Sequence, residues 1–223
     1  MAILALALTA CGGGGSAQEK KDGQANKVHT LPEDAQTYEG DPLPAGRYVT
    51  EEFKPAMSLT LSDGWSRGGP EQRDTWYIWE IENDAFWLGF YSGEEVYVPD
   101  GSGGLKVVPT PEDVVGWLQE NPYLKTDKPK PTSVGGEKGA QFDAIVTGAP
   151  KVPECPGCVD LALFHENSDA TSGVEKGEKV RFIVLEDVEG QQVTIFVETT
   201  PAGFEEFTAK SQEVIETVEW KGA

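Results

Sequence analysis

Three groups of side chains in this chain could do chemistry. Cys155-Pro156-Gly157-Cys158 is a CxxC pair, which can cycle between thiol and disulfide, hold a soft metal, or staple a loop. A redox pair needs a depressed thiol pKa, usually from a helix that starts just after the first cysteine. Here Val159-Asp160-Leu161-Ala162-Leu163-Phe164 reads as a strand, and the Asp160 carboxylate would raise a neighbouring thiol's pKa. A structural disulfide between Cys155 and Cys158 is the preferred reading, with a thiol-disulfide redox protein or other envelope enzyme as the alternative. By the chain-entropy model so small a ring contributes only about 2 kcal/mol.

The two histidines are His29 and His165. His165 stands beside Glu166 at a strand end, a spacing that allows a general acid/base pair. Nothing else supplies a nucleophile, and no Gly-x-Ser-x-Gly elbow is present, so His165 is expected as a surface residue and His29 as idle. Asp100-Gly101-Ser102-Gly103-Gly104 and Asn167-Ser168-Asp169 offer oxygen ligands for a hard cation. Neither matches an EF-hand register, and both are expected as solvated loops. No metal, no cofactor and no catalytic residue is expected, and the protein is read as not an enzyme.

The third group is aromatic. Trp76-Tyr77-Ile78-Trp79-Glu80-Ile81 and Phe86-Trp87-Leu88-Gly89-Phe90-Tyr91 read as the two arms of a hairpin joined by Glu82-Asn83-Asp84. Alternation puts Tyr77, Trp79 and Ile81 on one face and Trp76 and Ile78 on the other, with Phe86, Leu88 and Phe90 opposite Trp87 and Tyr91. Both faces are apolar, so either the hairpin is buried on both sides or one face turns Trp and Tyr outward. In the second case Tyr77, Trp79, Trp87 and Tyr91 make a stacking platform for a sugar ring, a peptide or another envelope ligand. Trp65, beside Ser66-Arg67-Gly68-Gly69, would then line its rim.

Composition narrows the classes. The 223 residues carry 18 Lys plus Arg against 38 Asp plus Glu, a formal charge of -20. Nucleic acid as a partner is excluded by this balance, because phosphate binding needs a basic footprint. With 38% hydrophobic residues the chain can build one sizeable core. Two His and three Cys leave little material for a zinc or haem site.

Residues Met1 to Leu8 are almost wholly apolar, and Leu8-Thr9-Ala10-Cys11 is followed at once by Gly12-Gly13-Gly14-Gly15-Ser16. The run Leu8-Thr9-Ala10-Cys11 resembles a bacterial lipobox, with an aliphatic residue, two small ones and then the cysteine that is modified. The resemblance implies removal of residues 1-10 as a signal peptide and a diacylglycerol on the Cys11 sulfur. Each buried CH2 contributes about 0.8 kcal/mol, and two acyl chains hold stably where one does not. The basic residues that open a secretory signal are missing before the apolar stretch, which points to a true start codon farther upstream. The stretch is shorter than the roughly 20 residues a membrane span needs. Residues 11-41 are polar and Gly-rich, and are expected as a disordered linker with an r.m.s. reach of about 30 Å. A single globular domain over 42-223 would then sit on the extracytoplasmic face of the bacterial cell membrane, lipid-anchored. Its partners would be that membrane and an envelope ligand or protein.

Short β patterns dominate the folded region: 47-53, 57-61, 75-81, 85-91, 95-98, an edge strand at 105-108, then 140-147, 160-164, 180-186 and 192-198. Ser62-Asp63-Gly64, Gly135-Gly136 and Asp187-Val188-Glu189-Gly190 read as turns. One helix starts at Thr110 as cap, with Pro111 at its first position and Asp113 completing the box, puts Val114, Val115, Trp117 and Leu118 on one side, and stops at Asn121-Pro122. A second starts at Thr200-Pro201 and runs about four turns, with Phe204, Phe207, Ser211, Val214, Ile215 and Val218 on its apolar face.

The order predicts an α+β fold, a mostly antiparallel sheet with two amphipathic helices packed on it. From Leu105 onward the element order, with the Asp63-Gly64-Trp65 step and the ending Glu216-Thr217-Val218-Glu219-Trp220, resembles PsbP-like domains. That resemblance implies an α/β/α sandwich and an accessory, non-catalytic role.

Overall fold

The computed structural model describes residues 28-30, 40-69, 71-81, 83-102, 104-150, 160-165 and 173-221. The signal peptide, Cys11, Cys155, Cys158, Glu166 and the loop at 167-169 lie outside the described residues, as does most of the linker assigned to 11-41.

In chain order the strands are β1 (Val28–Thr30), β2 (Pro42–Leu43), β3 (Gly46–Val49), β4 (Met57–Leu61), β5 (Trp65–Arg67), β6 (Thr75–Glu80), β7 (Asn83–Tyr91), β8 (Glu95–Pro99) and β9 (Leu105–Pro109). Helix α1 (Val114–Glu120) follows, then β10 (Leu124–Thr126), β11 (Lys130–Val134), β12 (Glu137–Val146), β13 (Asp160–Ala162), β14 (Gly173–Glu175), β15 (Lys179–Val188) and β16 (Gln191–Thr199). Helix α2 (Phe204–Ile215) and β17 (Glu219–Trp220) close the chain. The expected α+β class holds: the sheets are mostly antiparallel, and two helices pack on them.

A nine-stranded sheet forms the centre, in the order β10-β12-β15-β16-β7-β6-β5-β2, with β11 paired to β12. Strand alternation gives it two apolar faces, each with its own core. On one face Trp76, Ile78, Leu88, Phe90, Ile183, Leu185, Val193, Ile195 and Val197 pack with Phe207, Val214 and Ile215 of α2. The same core takes in Met57, Leu59 and Leu61 of a second sheet, ordered β1-β3-β4-β17. On the other face Tyr91, Phe142, Ala144, Phe182, Val184 and Phe196 pack with Val114 and Leu118 of α1 and with Val96, Leu163 and Phe164. Burying one such aromatic or aliphatic side chain contributes about 1.5–3 kcal/mol.

The helices start later than the sequence signals imply. Asp113, not Thr110, caps α1, accepting from the Gly116 N–H at 2.7 Å. Asp is a strong cap and stands directly before the apolar run. Thr110 instead donates its hydroxyl to the Gly93 carbonyl at 2.9 Å, closing the β8-β9 hairpin against the sheet. In the same way Thr200 to Gly203 forms a turn, with Gly203 N–H to Thr200 O at 3.1 Å, and α2 begins at Phe204. Glu205 and Glu206 lie in its first turn, where the helix dipole favours anions. Its apolar face carries the expected Phe204, Phe207, Ser211, Val214 and Ile215, all buried, but the helix ends at Ile215, and Val218, expected on the same face, is buried beyond its end.

The strand expected over 47-53 stops at Val49, because residues 51-53 turn their N–H groups onto the Glu71 carboxylate. Val28–Thr30, placed in the linker from sequence, pairs in parallel with β3. There the His29 ring stacks on Tyr48 at 5.0 Å. The Tyr48 hydroxyl donates to the Pro44 carbonyl at 2.7 Å, and burial pushes its pKa up to about 12.

Candidate functional site

The β6-β7 hairpin sits in the middle of the large sheet, between β5 and β16. Its register pairs Thr75 with Tyr91, Tyr77 with Gly89 and Trp79 with Trp87. On one face Trp76, Ile78, Phe86, Leu88 and Phe90 are buried and belong to the α2-side core. The other face is divided, and the register shows why.

At one end of this second face, Tyr91 is 3% exposed and belongs to the α1-side core. Its ring lies 4.5 Å from that of Phe164, and its hydroxyl reaches the carbonyls of Glu95 and His165. In the middle, Gly89 leaves room for the Phe196 ring: a Cβ there would stand 2.1 Å from Phe196 Cζ. Beyond that ring the covering layer of core residues ends, and Tyr77, Trp79 and Trp87 remain half-buried. Trp79 and Trp87 meet edge to face at 4.8 Å and 81°, and Tyr77 lies 5.4 Å from Trp87. Gly68 and Gly69 press on the Tyr77 ring, and Gly40 lies beside Trp79. Ile81, at 46% exposure, continues past the strand end.

Four residues were read from sequence as one platform, and three of them cluster while Tyr91 lies apart. Trp65 does not line a rim. It is fully buried, 5.7 Å from the Phe207 ring and under the Lys210 ammonium at 4.8 Å. Its strand pairs it with Glu80, which puts it on the α2 side of the sheet.

One residue beside the cluster escaped the sequence reading. Glu198 pairs with Trp87 across β16 and β7 and is 9% exposed. It also lines a small cavity of about 20 Å³ with Phe164, Val180, Phe182 and Phe196. The even-numbered residues of β16 share this face, so the signal was the register of 198 with 87, which sequence alone does not give.

A second concavity, a polar cleft of about 880 Å³, opens at the end of the sheet where β6 begins and β7 ends. Asp74, Glu94, Glu95, Glu112 and Glu186 line it with Lys54, Arg73 and His165. His165 pairs with Glu95 of β8, Nδ1 to Oε2 at 3.1 Å, whereas the sequence reading set it beside Glu166. The cleft hydroxyls are held by carbonyls: Ser92 donates to Lys54 O and Thr110 to Gly93 O. Neither is placed as a nucleophile activated by His165.

Among the described residues no group of three or more His, Cys, Asp or Glu could hold a metal ion. The Asp100 carboxylate folds back on its own loop, accepting from Ser102 N–H at 2.7 Å, Ser102 Oγ at 2.7 Å and Gly104 N–H at 3.0 Å. No described helix is long and apolar enough to cross a membrane.

Fold and sites together define an α+β protein with a half-buried aromatic cluster on one sheet face. No protein-family model matches the chain, and no curated protein does. Among solved structures, the solution structure of cyanobacterial PsbP (CyanoP) from Synechocystis sp. PCC 6803 is similar at a TM-score of 0.42 and 11% identity, over 85% of this chain and 98% of that one. The crystal structure of LpqN, involved in cell envelope biogenesis of Mycobacterium tuberculosis, is similar at 0.39 and 10%, over 80% of this chain and 88% of that one.

Proposed function

We propose that the protein is a membrane-anchored extracytoplasmic lipoprotein of the bacterial cell envelope. Its role is non-catalytic, and it binds an envelope ligand through Tyr77, Trp79 and Trp87. The folded region is a PsbP-like α/β/α sandwich, and Cys11 carries the lipid that holds it at the membrane.

One observation carries the binding reading. Where Trp76, Ile78, Leu88, Phe90 and Tyr91 of the hairpin are buried, these three rings keep part of their surface at solvent. Contiguous apolar surface left at solvent is a feature of binding sites. The anchor reading rests on Leu8-Thr9-Ala10-Cys11 and the Gly/Ser run that follows.

The test uses the full chain with Cys11→Ala, so that lipid attachment makes no contribution. Retention on isolated bacterial envelopes is compared with and without Trp79→Phe and Trp87→Ala. Retention that falls at least about tenfold, a difference near 1.4 kcal/mol, is the expected result. Equal retention of both proteins sinks the reading. Acylation is checked separately by mass spectrometry of the expressed wild-type chain.

A further inference from the structure

We infer that β9 is a docking edge for an extended basic peptide, which adds a strand along Leu105 to Val107 and runs its Lys or Arg side chains past Pro109 into the polar cleft. The site is separate from the aromatic cluster and does not depend on it.

The register of the β8-β9 hairpin fixes which backbone groups point outward. Thr110 N–H donates to Glu94 O at 2.7 Å, and Asp100 N–H to Gly104 O at 3.0 Å, so both are hydrogen-bonded pairs. Such pairs alternate along the ladder with pairs whose groups point away from the partner strand. With Val96 opposite Val108 and Tyr97 opposite Val107, the outward residues are Glu95, Tyr97 and Pro99 on β8 and Leu105, Val107 and Pro109 on β9. The β8 edge is in use: Tyr97 N–H donates to Leu163 O at 2.9 Å and His165 N–H to Glu95 O at 3.2 Å, around the bridge of Val96 with Phe164. Among the described residues no backbone hydrogen bond reaches the outward groups of β9.

An open edge of this kind is what strand addition uses, with main-chain bonds giving affinity and alternate side chains giving selectivity. Other edges of the described sheets are poorer. β1, β10, β13 and β14 have three residues each, and β2 and β17 have two. β11 matches the five residues of β9 but carries Pro131 inside it, which removes a donor. Val96, Val98 and Val108 pack toward the α1-side core, so alternation turns Tyr97 and Val107 to the hairpin's outer face. Val107 is 39% exposed there, an apolar seat for one side chain of an added strand.

Charge selects the peptide. Pro109, Thr110 and Pro111 lead from β9 into the cleft of about 880 Å³. Five carboxylates line it, Asp74, Glu94, Glu95, Glu112 and Glu186, against two permanent cations, Lys54 and Arg73. The formal charge of -20 on the whole chain adds to this field, which attracts cations. Lys106 is exposed on β9 itself, so neutral residues of the peptide lie along β9 and its basic block lies beyond Pro109. A second copy of the chain could also pair with a free edge, but it would bring another -20, which opposes association.

The full chain is titrated with peptides of alternating threonine and valine that carry a lysine block at the amino or the carboxyl end, so that both strand directions are sampled. Matched peptides carry glutamates in place of the lysines, and a third set is the basic peptides N-methylated at alternate residues in either phase. The readouts are calorimetry and hydrogen exchange of the Leu105 and Val107 amides. A basic peptide is expected to bind, to slow exchange at both amides at least about tenfold, and to bind at least about tenfold more tightly than its glutamate counterpart. One N-methylation phase blocks the edge that faces β9 and is expected to lose binding at least about tenfold. Val107→Pro deletes an outward N–H and none that bonds β8, and is expected to weaken binding by a similar factor. Glu94→Gln combined with Glu112→Gln is expected to weaken it at least about threefold.

Absence of binding by both basic peptides at ~1 mM overturns the inference. So does equal affinity for the glutamate peptides or for both N-methylated phases, or unchanged affinity in either variant. The N-methylated peptides are read on the wild-type protein, so the strand-addition test stands even where Val107→Pro fails to fold. A free protein that sediments as a dimer with Val107 already protected gives the edge to a second copy and overturns the peptide.

Discussion

Asp143 and Arg181 face each other across β12 and β15, and the guanidinium grips the carboxylate through two hydrogen bonds of 2.7 and 2.9 Å. Both side chains are about four-fifths buried, at 19% and 20% exposure, so the pair is shielded from the solvent that weakens surface ion pairs. The Arg181 guanidinium also lies 5.5 Å from the Phe204 ring at the start of α2. A lysine supplies a point charge without the planar fork. Arg181→Lys is therefore expected to lower stability by about 1–2 kcal/mol, read as a shift in urea midpoint with unchanged slope. An unchanged midpoint would mean the pair contributes nothing beyond charge.

Glu71 holds the turn after β3. Its Oε1 accepts from the N–H groups of Glu51, Glu52 and Phe53 at 2.8, 2.9 and 2.8 Å. Removing the acceptor with Glu71→Ala leaves three donors without their partner and is expected to cost about 2–4 kcal/mol. Glu71→Gln keeps an oxygen in place and is expected to cost under about 1 kcal/mol. The comparison with glutamine also gives a pH signature. Burial pushes the Glu71 pKa up, outweighing the three N–H groups that pull it down, and the Glu52 charge pushes the same way as burial. The charged form is thus the disfavoured one in the folded protein. Wild-type stability relative to Glu71→Gln is greatest below the ordinary carboxylate pKa and declines as pH rises through the raised value. Urea midpoints of both proteins from about pH 4 to 8 check this, and a relative stability that grows with pH refutes it.

How much of this was legible depended on the range of the interaction. The period-2 pattern of 75-91 put the right residues on the right faces, because alternation is a local property of the strand. The end of α1 was legible from Asn121, and the α2 face from its three- and four-residue spacing. By contrast β11, with Lys130-Pro131-Thr132-Ser133, has no apolar alternation and was missed, although the Gly135-Gly136 turn beside it was read. Both glycines adopt positive φ, 59° and 92°, which makes that turn a local signal and its partner strand a tertiary one. The division of the second hairpin face was not legible either. It is set by Phe196 lying over Gly89 and by Phe164 reaching Tyr91, contacts between residues over 70 positions apart.

Gly89 is the hinge of that division, and a methyl group tests it. A Cβ 2.1 Å from Phe196 Cζ forces the ring to move, and overpacking of this kind costs about 1–3 kcal/mol. Gly89→Ala is expected to show that loss in thermal or urea unfolding. Phe196→Leu in the same chain shortens the side chain and is expected to recover part of it, so the two substitutions are non-additive. Strict additivity would mean the ring does not rest on Gly89.

Tyr91 separates packing from binding on the same strand face. Its hydroxyl bridges the carbonyls of Glu95 and His165 and so joins the end of β7 to β8 and to the segment after β13. Tyr91→Phe keeps the ring against Phe164 and removes the hydroxyl with that bridge, at an expected cost of about 1–2 kcal/mol. Because Tyr91 is 3% exposed, envelope retention is expected to be unchanged, in contrast to Trp87→Ala two turns of the alternation away. Stability is read by urea midpoint and binding by envelope retention on the same preparation. A Tyr91→Phe protein of full stability that binds more weakly would return this tyrosine to the ligand surface and redraw its boundary at Phe196.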